Sequence, residues 1–354
     1  MKKVKLGEVC EILSGYAFKS SQFNDNKIGL PLIRIRDVER GFSDTYFEGT
    51  YSEEYLIKNG DLLITMDGSF ILKKWEGDLA LLNQRVCKIK ITDKSVDEGY
   101  ISWLIPKFLK EIEDKTPFVT VKHLSVAKIK DISFVLPNKL EQKLIAKKLN
   151  TISQIYDFRK IQSEKFNELV KSRFNEMFGD PLNNNKKFAV KTGQQCFKFS
   201  SGKFLDKHDR VFEGYPAYGG NGIAWKSRKY LIDNPTIIIG RVGAYCGNVR
   251  TTHGKVWISD NAIYIKEFKN SDFNLVFLLE LMKVIDFSKF ADFSGQPKIT
   301  QKPLENQKYI LPPLAFQNEF ADFVALVDKS QLAIQKSLEE LETLKKSLMQ
   351  EYFS

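Results

Sequence analysis

Two glycine-containing segments bring aromatic, amide and basic side chains together in a way that suits contact with a ligand. Residues 14–20 read SGYAFKS, and residues 215–223 read YPAYGGNGI. Glycine lets a backbone approach a bound group closely, and tyrosine, asparagine, serine and lysine can hydrogen bond to bases or phosphates. The candidate contact residues that these segments contribute are Tyr16, Lys19, Ser20, Tyr218 and Asn221.

Basic side chains follow β-like runs in both halves of the chain. Arg241 comes at the end of the run that starts at Thr236. Its planar guanidinium suits a guanine edge or a phosphate. The other basic candidates, chosen for comparable placement, are Arg34, Arg36, Lys122, Lys203 and Lys298. Any one of these alone is better explained as a solvated surface charge, but their recurrence in both halves favours nucleic-acid contact.

Signatures of catalysis are missing from the sequence. Residues 220–227 nearly match a nucleotide-binding P-loop, but Trp225 stands where the second glycine is required, so we reject ATP binding. The single Pro-Pro pair, Pro312-Pro313, lies between leucines, unlike the polar flanks of an amino-methyltransferase loop. We find no HExxH or GxSxG motif and no clear helicase motif. A nuclease carboxylate cluster is left open by one sequence, although no residue pattern points to it.

Composition limits the compartment and the partners. The chain has 54 Lys and Arg against 44 Asp and Glu, giving a net charge of +10 and a pI near 9.1, which favours a polyanionic partner. The four cysteines and three histidines are scattered, so we expect reduced thiols, no metal centre and no cofactor. No apolar run is long enough for a transmembrane helix or a signal peptide, which predicts a cytoplasmic protein.

A long internal repeat organises these residues. The stretch that starts at Lys171 aligns with the stretch that starts at Lys346, an offset of 175 residues. The same offset places Gln142 on Gln317, and it holds from residue 64 to residue 178. Further upstream the register slips, because Ser14-Gly15 matches Ser201-Gly202 at an offset of 187. The second part of each repeat therefore keeps a constant length, whereas the first part varies. This pattern suggests a scaffold that carries interchangeable recognition segments.

The back of each repeat predicts one long helix. Residues 140–178 and 315–353 contain neither glycine nor proline, and apolar residues recur in the alternating spacing of a coiled coil. The predicted seam of the second helix has gaps at Gln331 and Lys345 and consists of Phe320, Val324, Val327, Ile334, Leu338, Leu341, Leu348 and Tyr352. The corresponding seam of the first helix is Ile145, Leu149, Ile152, Tyr156, Phe166, Val170 and Met177.

The charges of the two helices are complementary. Residues 140–178 carry a net +3 and residues 315–353 a net −3, so the overall +10 lies outside them. We interpret the helices as an antiparallel pair, the alternative being that each packs on an unrelated domain. The remaining segments show short β-rich runs and helical stretches around residues 100–113 and 274–285. The fold class is therefore α+β, with two pseudo-repeated α/β domains separated by two long antiparallel coiled-coil helices.

In this order and in duplicate, the motifs resemble the specificity subunits of type I restriction-modification enzymes. The resemblance covers essentially the whole chain and rests on the duplicated plan of a variable segment followed by a helix of constant length. The motifs that carry it are Leu6-Gly7-Glu8-Val9, residues 14–20, residues 218–222, residues 237–243 and Met177-Phe178-Gly179-Asp180-Pro181. Each of them is weak when taken alone.

The resemblance implies a division of labour. It implies target recognition domains at residues 1–139 and 181–314, followed by spacer helices at residues 140–180 and 315–354. Each domain would read one half of a split, asymmetric site in double-stranded DNA. The subunit would not itself be catalytic and would assemble with two adenine-modifying methyltransferase (modification) subunits and with ATP-dependent restriction subunits.

Three other interpretations stay open at the level of the sequence. The chain could be an enzyme with an unrecognised active site, such as a nuclease, or a DNA-binding module of a related modification enzyme outside type I. It could also be a coiled-coil adaptor without nucleic-acid function, although the positive charge outside the helices argues against an adaptor. The sequence does not reveal a target site, because base readout depends on a few loop side chains.

Overall fold

The computed structural model describes residues 2–116, 122–270 and 272–353. It divides into two compact units, the first formed by Met1–Phe158 with Glu339–Ser354 and the second by Arg159–Leu338. Each unit therefore combines one α/β segment with part of both long helices. The helices, in chain order, are α1 (Leu6–Val9), α2 (Ile35–Arg40), α3 (Glu98–Lys115), α4 (Val126–Lys130), α5 (Lys139–Phe178), α6 (Gly193–Cys196), α7 (Leu275–Ile285), α8 (Gln301–Asn306) and α9 (Leu314–Phe353).

The first unit is built on three sheets. Its strands are β1 (Lys2–Lys5), β2 (Cys10–Ser14), β3 (Phe23–Asn24), β4 (Leu30–Ile33), β5 (Tyr46–Phe47), β6 (Leu56–Ile57), β7 (Leu62–Thr65), β8 (Leu72–Lys74), β9 (Ala80–Leu82), β10 (Val86–Ile91) and β11 (Ser133–Leu136). They form a β1-β11 pair, a sheet in the order β2-β10-β7-β8 and a sheet in the order β3-β5-β4-β9-β6. All residues of β7 are buried, so the centre of the unit is a sheet that is covered on both faces.

The second unit repeats two of these sheets. Its strands are β12 (Ala189–Thr192), β13 (Phe197–Ser201), β14 (Arg210–Val211), β15 (Tyr215–Gly219), β16 (Gly222–Ser227), β17 (Ile237–Gly240), β18 (Val249–Thr251), β19 (Trp257–Ile258), β20 (Ala262–Phe268) and β21 (Lys308–Leu311). The β12-β21 pair and the order β13-β20-β17-β18 correspond to β1-β11 and β2-β10-β7-β8. The third sheet, β14-β16-β15-β19, differs from its counterpart, as expected where the two repeats lose their common register.

The predicted long helices are confirmed, each beginning one residue earlier than expected. Both α5 and α9 contain 40 residues. Within the first unit the Lys148 Nζ donates to the Tyr352 hydroxyl over 3.1 Å, and the Tyr156 hydroxyl donates to Glu342 over 2.9 Å. Later positions of α5 thus meet earlier positions of α9, which is antiparallel pairing.

The same pairing direction holds within the second unit. Arg173 donates to Glu319 over 2.8 Å, and Gln331 donates to Asn167 over 3.0 Å. Every residue predicted for either seam is buried or half-buried. The seam gap at Lys345 is explained in the first unit, where its ammonium lies 4.8 Å from the centre of the Trp103 ring. The α+β class with repeated α/β segments and a long antiparallel helix pair is confirmed.

The helix ends belong to the cores of the units. In the first unit Phe353 packs against Tyr100 in a cluster that includes residues of α3 and β7. In the second unit the rings of Phe174, Phe178 and Phe320 pack with Phe277 of α7. Fully burying an aromatic side chain contributes roughly 1.5–3 kcal/mol, so these contacts fix the α/β segment of each unit to its helices.

Candidate nucleic-acid interface

In the first unit a hydrogen-bond ladder gathers three separate segments at the end of strand β7. The Met66 N–H donates to the Arg85 carbonyl over 2.9 Å, and the Leu124 N–H donates to the Met66 carbonyl over 2.7 Å. Just beyond, Asp67 and His123 face each other as an isolated β-bridge. The ladder therefore brings together the side chains of Asp67, Arg85 and His123, which we call the strand-end positions of the first unit.

The three side chains form one polar cluster. The His123 Nδ1 lies 2.6 Å from the Asp67 Oδ1, and the Arg85 Nε lies 3.4 Å from the Asp67 Oδ2. The side chains of Arg85 and His123 are 53% and 48% exposed, whereas Asp67 is 22% exposed. The less exposed carboxylate of Asp67 therefore positions the side chains of Arg85 and His123. Both of these side chains face solvent and can hydrogen bond with a ligand.

The second unit repeats this ladder with different side chains. The Arg241 N–H donates to the Asn261 carbonyl and the Ile299 N–H donates to the Arg241 carbonyl, both over 2.9 Å. Val242 forms an isolated bridge with Lys298, just as Asp67 does with His123. The strand-end positions of the second unit are therefore Val242, Asn261 and Lys298, and the last of these is exposed.

Tyr16 and Lys203 occupy equivalent places beside the two ladders. The Tyr16 N–H donates to the Leu82 carbonyl over 3.0 Å, and the Lys203 N–H donates to the Ile258 carbonyl over 2.9 Å. Both side chains are exposed. The Tyr16 carbonyl also accepts from Gln84, the residue before Arg85, so the Tyr16 backbone lies beside the segment that carries Arg85.

The remaining candidates of the first unit separate into surface and structural residues. Lys19 and Ser20 are exposed at the start of the 3₁₀ helix Ser20–Gln22. The guanidinium of Arg34 donates to Thr45 and is only 31% exposed, whereas that of Arg36 is 63% exposed. Lys122 donates through Nζ to the Glu113 carbonyl over 2.7 Å, which directs it toward the end of α3.

Asp37 lies close to three arginines, one that precedes α2 and two within it. Its carboxylate is fully buried and lies 3.7 Å from the Nε of Arg34 and of Arg36 and 3.5 Å from the Arg40 guanidinium. Arg40 also donates to Asp44 and holds the pKa of that carboxyl below its ordinary value. This buried carboxylate fixes a basic surface around α2, on which Arg36 is the most exposed arginine.

Two predicted DNA-contact residues of the second unit have half-buried side chains. Tyr218 is half-buried and packs on the cluster that contains Ile238 and Ile258. Arg241 is half-buried, and its Nη1 donates to the Asp260 carbonyl over 3.3 Å. Asn221, by contrast, is exposed at the β15–β16 turn, where its side-chain oxygen accepts from Arg250 over 3.2 Å.

Sequence reasoning missed Asp67, Arg85, His123 and Arg250. One signal was available, because the 175-residue offset places Lys298 on His123 and not on Lys122. Arg85 carries no motif, and only the folded ladder brings it to this place. Its backbone adopts the left-handed conformation with φ 70°, which is rare for a residue with a side chain.

The described residues offer little for covalent or metal chemistry. Within the described ranges, no group of three or more His, Cys, Asp or Glu side chains is placed to hold a metal ion. Burial raises the pKa of the Cys10 and Cys87 thiols to about 12, so both stay protonated at neutral pH. Of the helices in the same ranges, none has the length and apolarity needed to cross a bilayer.

Known proteins share part of this sequence. The chain is 41% identical over 169 residues to the type I restriction enzyme EcoBI specificity subunit of Escherichia coli, a match that covers 48% of this chain and 36% of that protein. It is 26% identical over 190 residues to the MjaVIII specificity subunit of Methanocaldococcus jannaschii, covering 49% and 44%. The matches span less than half the length of either relative.

A solved structure supports the fold over the full length. The S subunit of a type I restriction-modification system from M. genitalium superposes with a TM-score of 0.69 at 18% identity, covering 100% of this chain and 96% of that one. The family model described as type I restriction modification DNA specificity domain matches residues 1–168 and again residues 185–344. Because these two matches take in most of the sequence, the chain belongs to the family of type I restriction modification DNA specificity domains.

Proposed function

We propose that the chain is the DNA-recognition subunit of a type I restriction-modification complex. In this proposal each unit reads one half of a bipartite, asymmetric site in double-stranded DNA. The chain itself is not catalytic, and it directs adenine methylation and restriction by partner subunits in the cytoplasm. The observation that carries the proposal is the repeated ladder, which presents exposed polar and basic side chains at equivalent places in both units.

Charge supports DNA as the ligand. The +10 net charge lies outside the helix segments at residues 140–178 and 315–353, and therefore in the α/β segments that carry the ladders. Exposed cations of these segments include Lys19 and Arg36 in the first unit and Lys203 and Lys298 in the second. If these cations contact phosphates, log K for DNA should fall with log salt concentration by about 0.9 per contact. Unequal side chains at the strand-end positions support two different half-sites.

Mapping of adenine methylation tests the proposal in the cell. Genomic DNA from cells with and without this gene would be compared base by base. We expect methylated adenines in one bipartite motif that vanish when the gene is deleted and return on complementation. An unchanged methylation pattern would contradict the proposal. Incubation of the purified chain with labelled DNA and Mg²⁺ tests the nuclease alternative, and we expect no cleavage.

The helices supply candidate docking surfaces for two methyltransferase subunits. Leu169 of α5 and Leu344 of α9 are separated by the repeat offset of 175, and they are 46% and 47% exposed. Exposed leucines at equivalent places favour two equivalent contacts with two copies of one partner. Restriction subunits complete the proposed complex.

Single substitutions test this docking arrangement. Leu169→Asp and Leu344→Asp should each reduce the number of bound methyltransferase subunits from two to one, because a charge would enter an apolar contact. The double variant should bind none. Leu182→Asp, at a leucine that is 56% exposed beyond α5, is the matched control. Native mass spectrometry reads the stoichiometry, and two subunits on the double variant would refute the arrangement.

A further inference from the structure

We propose that Arg85 reads a guanine in the half-site recognised by the first unit and that Asp67 holds its guanidinium for this purpose. The inference rests on the proposed function and assigns one base to one side chain of that site. Arg85 combines an exposed side chain, a left-handed backbone and an ion pair with a carboxylate.

The contacts leave one edge of the guanidinium for a ligand. The Arg85 Nε faces Asp67 at 3.4 Å, and its Nη1 lies 3.3 Å from the His123 Nδ1. That ring nitrogen cannot donate to Asp67 and accept from Arg85 at once, and its 2.6 Å contact with Asp67 is much the shorter. The Nδ1 proton therefore goes to Asp67. The Nη1–Nη2 edge of Arg85 stays available for the paired O6 and N7 acceptors of guanine.

The charge of the cluster favours a base over a phosphate. Arg85 and Asp67 form an ion pair, so the positive charge of the guanidinium is offset by the carboxylate beside it. Phosphate contacts gain from excess positive charge, and the nearby carboxylate would repel a phosphate. A carboxylate-held guanidinium is instead suited to a neutral partner with two acceptors, because its orientation is fixed before binding.

The backbone supports a dedicated role for this side chain. A φ of 70° at a residue other than glycine costs about 1–2 kcal/mol. Glycine would adopt this conformation without that cost, yet arginine stands here. In the second unit the equivalent positions carry Val242, Asn261 and Lys298, without a carboxylate, so the guanine is assigned to one half-site alone.

The experiment uses the full chain assembled with its methyltransferase subunits and a library of bipartite sites randomised in both halves. Arg85→Gly keeps a backbone that suits φ 70°, so loss of folding is not expected. We expect this variant to lose the requirement for guanine at one position of one half-site and to bind the original site about tenfold to a hundredfold more weakly. The other half-site and the salt dependence should not change. Arg85→Lys should relax the same position, because lysine lacks the planar fork.

Asp67→Asn separates base reading from phosphate contact. It removes a negative charge. If Arg85 contacts a phosphate, the variant complex should therefore bind all DNA sequences more tightly. A guanine-reading Arg85 would instead lose its support and become less selective at the same position. Arg36→Ala, at an exposed arginine outside the cluster, is the matched control and should weaken binding to all sequences equally.

Two failures can be told apart. A wild-type complex with no sequence preference would overturn the proposed function and this assignment with it. A selective wild-type complex whose guanine requirement survives Arg85→Gly would overturn the assignment alone. Uniformly tighter binding by Asp67→Asn would do the same.

Discussion

At the residue scale, two glycines keep the candidate contact residues against their ladders. A Cβ on Gly15 would lie 2.1 Å from the Asn83 carbonyl oxygen, and a Cβ on Gly202 would lie 2.0 Å from the Ser259 carbonyl oxygen. No side chain fits at either place. The next residue in each repeat, Tyr16 or Lys203, is therefore held by the backbone, and its side chain is free to differ between the units.

Substitution of Lys122 tests whether this residue stabilises the fold or determines the preferred DNA sequence. Lys122→Ala removes the hydrogen bond to the Glu113 carbonyl at the end of α3, so it should lower the free energy of unfolding by about 1 kcal/mol. The preferred DNA sequence should not change, because the ammonium is bonded to a backbone carbonyl of its own unit. Urea unfolding and site selection measure the two effects. Lys19→Ala is the exposed control, and a changed base preference in Lys122→Ala would contradict this assignment.

Residue types alone could not separate candidates with free, exposed side chains from candidates whose side chains hydrogen bond within their own unit. Arg34, Lys122 and Arg241 were sound candidates by chemistry, but each donates to a neighbour within its own unit. Those neighbours come from other segments, at distances along the chain that no local pattern encodes. Arg85 was missed for the same reason, since its partner Asp67 lies on another strand end.

At the element scale, one buried glutamine per repeat fastens the long helices to their units. Gln142 accepts from the Asp97 N–H over 2.8 Å and donates to the Ser95 and Pro137 carbonyls. Gln317 makes the corresponding bonds to Asn274, Asp272 and Pro312. The two residues are fully buried and separated by the repeat offset of 175. Each joins the start of a long helix to the segment that precedes α3 or α7.

Replacing these glutamines should destabilise one unit at a time. Gln142→Leu leaves a buried N–H and two carbonyls without this partner, so the first unit should lose about 2–4 kcal/mol of unfolding free energy. Gln317→Leu should do the same to the second unit. Hydrogen exchange followed by mass spectrometry assigns each loss to its unit. Gln154→Leu, at an exposed position of α5, is the control. Equal protection in Gln142→Leu and wild type would refute this role.

Long helices could be predicted from the sequence, whereas most strand pairings could not. The helices have a continuous apolar seam and no glycine or proline, and these are local signals. The β1–β11 pairing joins residues more than one hundred positions apart, and β15 pairs in parallel with β19. Such pairings depend on the packing of the whole unit, which short β-rich runs do not specify.

At the scale of the whole molecule, the two repeats share their architecture but differ in the side chains at the strand-end positions. The sheet orders, the ladders and the buried glutamines recur, while the strand-end positions change from Asp67, Arg85 and His123 to Val242, Asn261 and Lys298. A duplicated framework with unequal side chains is what an asymmetric, two-part DNA site would require.

Helix length should set the gap between the two half-sites. Each long helix has 40 residues, or about 60 Å at roughly 1.5 Å per residue. Four residues inserted after Ser163 add about one turn, or roughly 6 Å, to α5. Because Asn167 pairs with Gln331, a matching insertion in α9 belongs after Ile334, so that the seam stays in register.

The double insertion should lengthen the gap and leave the half-sites unchanged. A base pair rises about 3.4 Å, so an extra 6 Å corresponds to about one or two base pairs. Methylation mapping of cells that carry the variant reads both the gap and the half-sites. A four-residue replacement at the same positions, with unchanged length, is the control and should keep the original gap. If the lengthened chain still directs methylation at the original gap, or at new half-site bases, helix length does not set the spacing. A longer gap with the same half-sites would instead mean that the helices fix the distance between the half-sites while the α/β segments choose the bases.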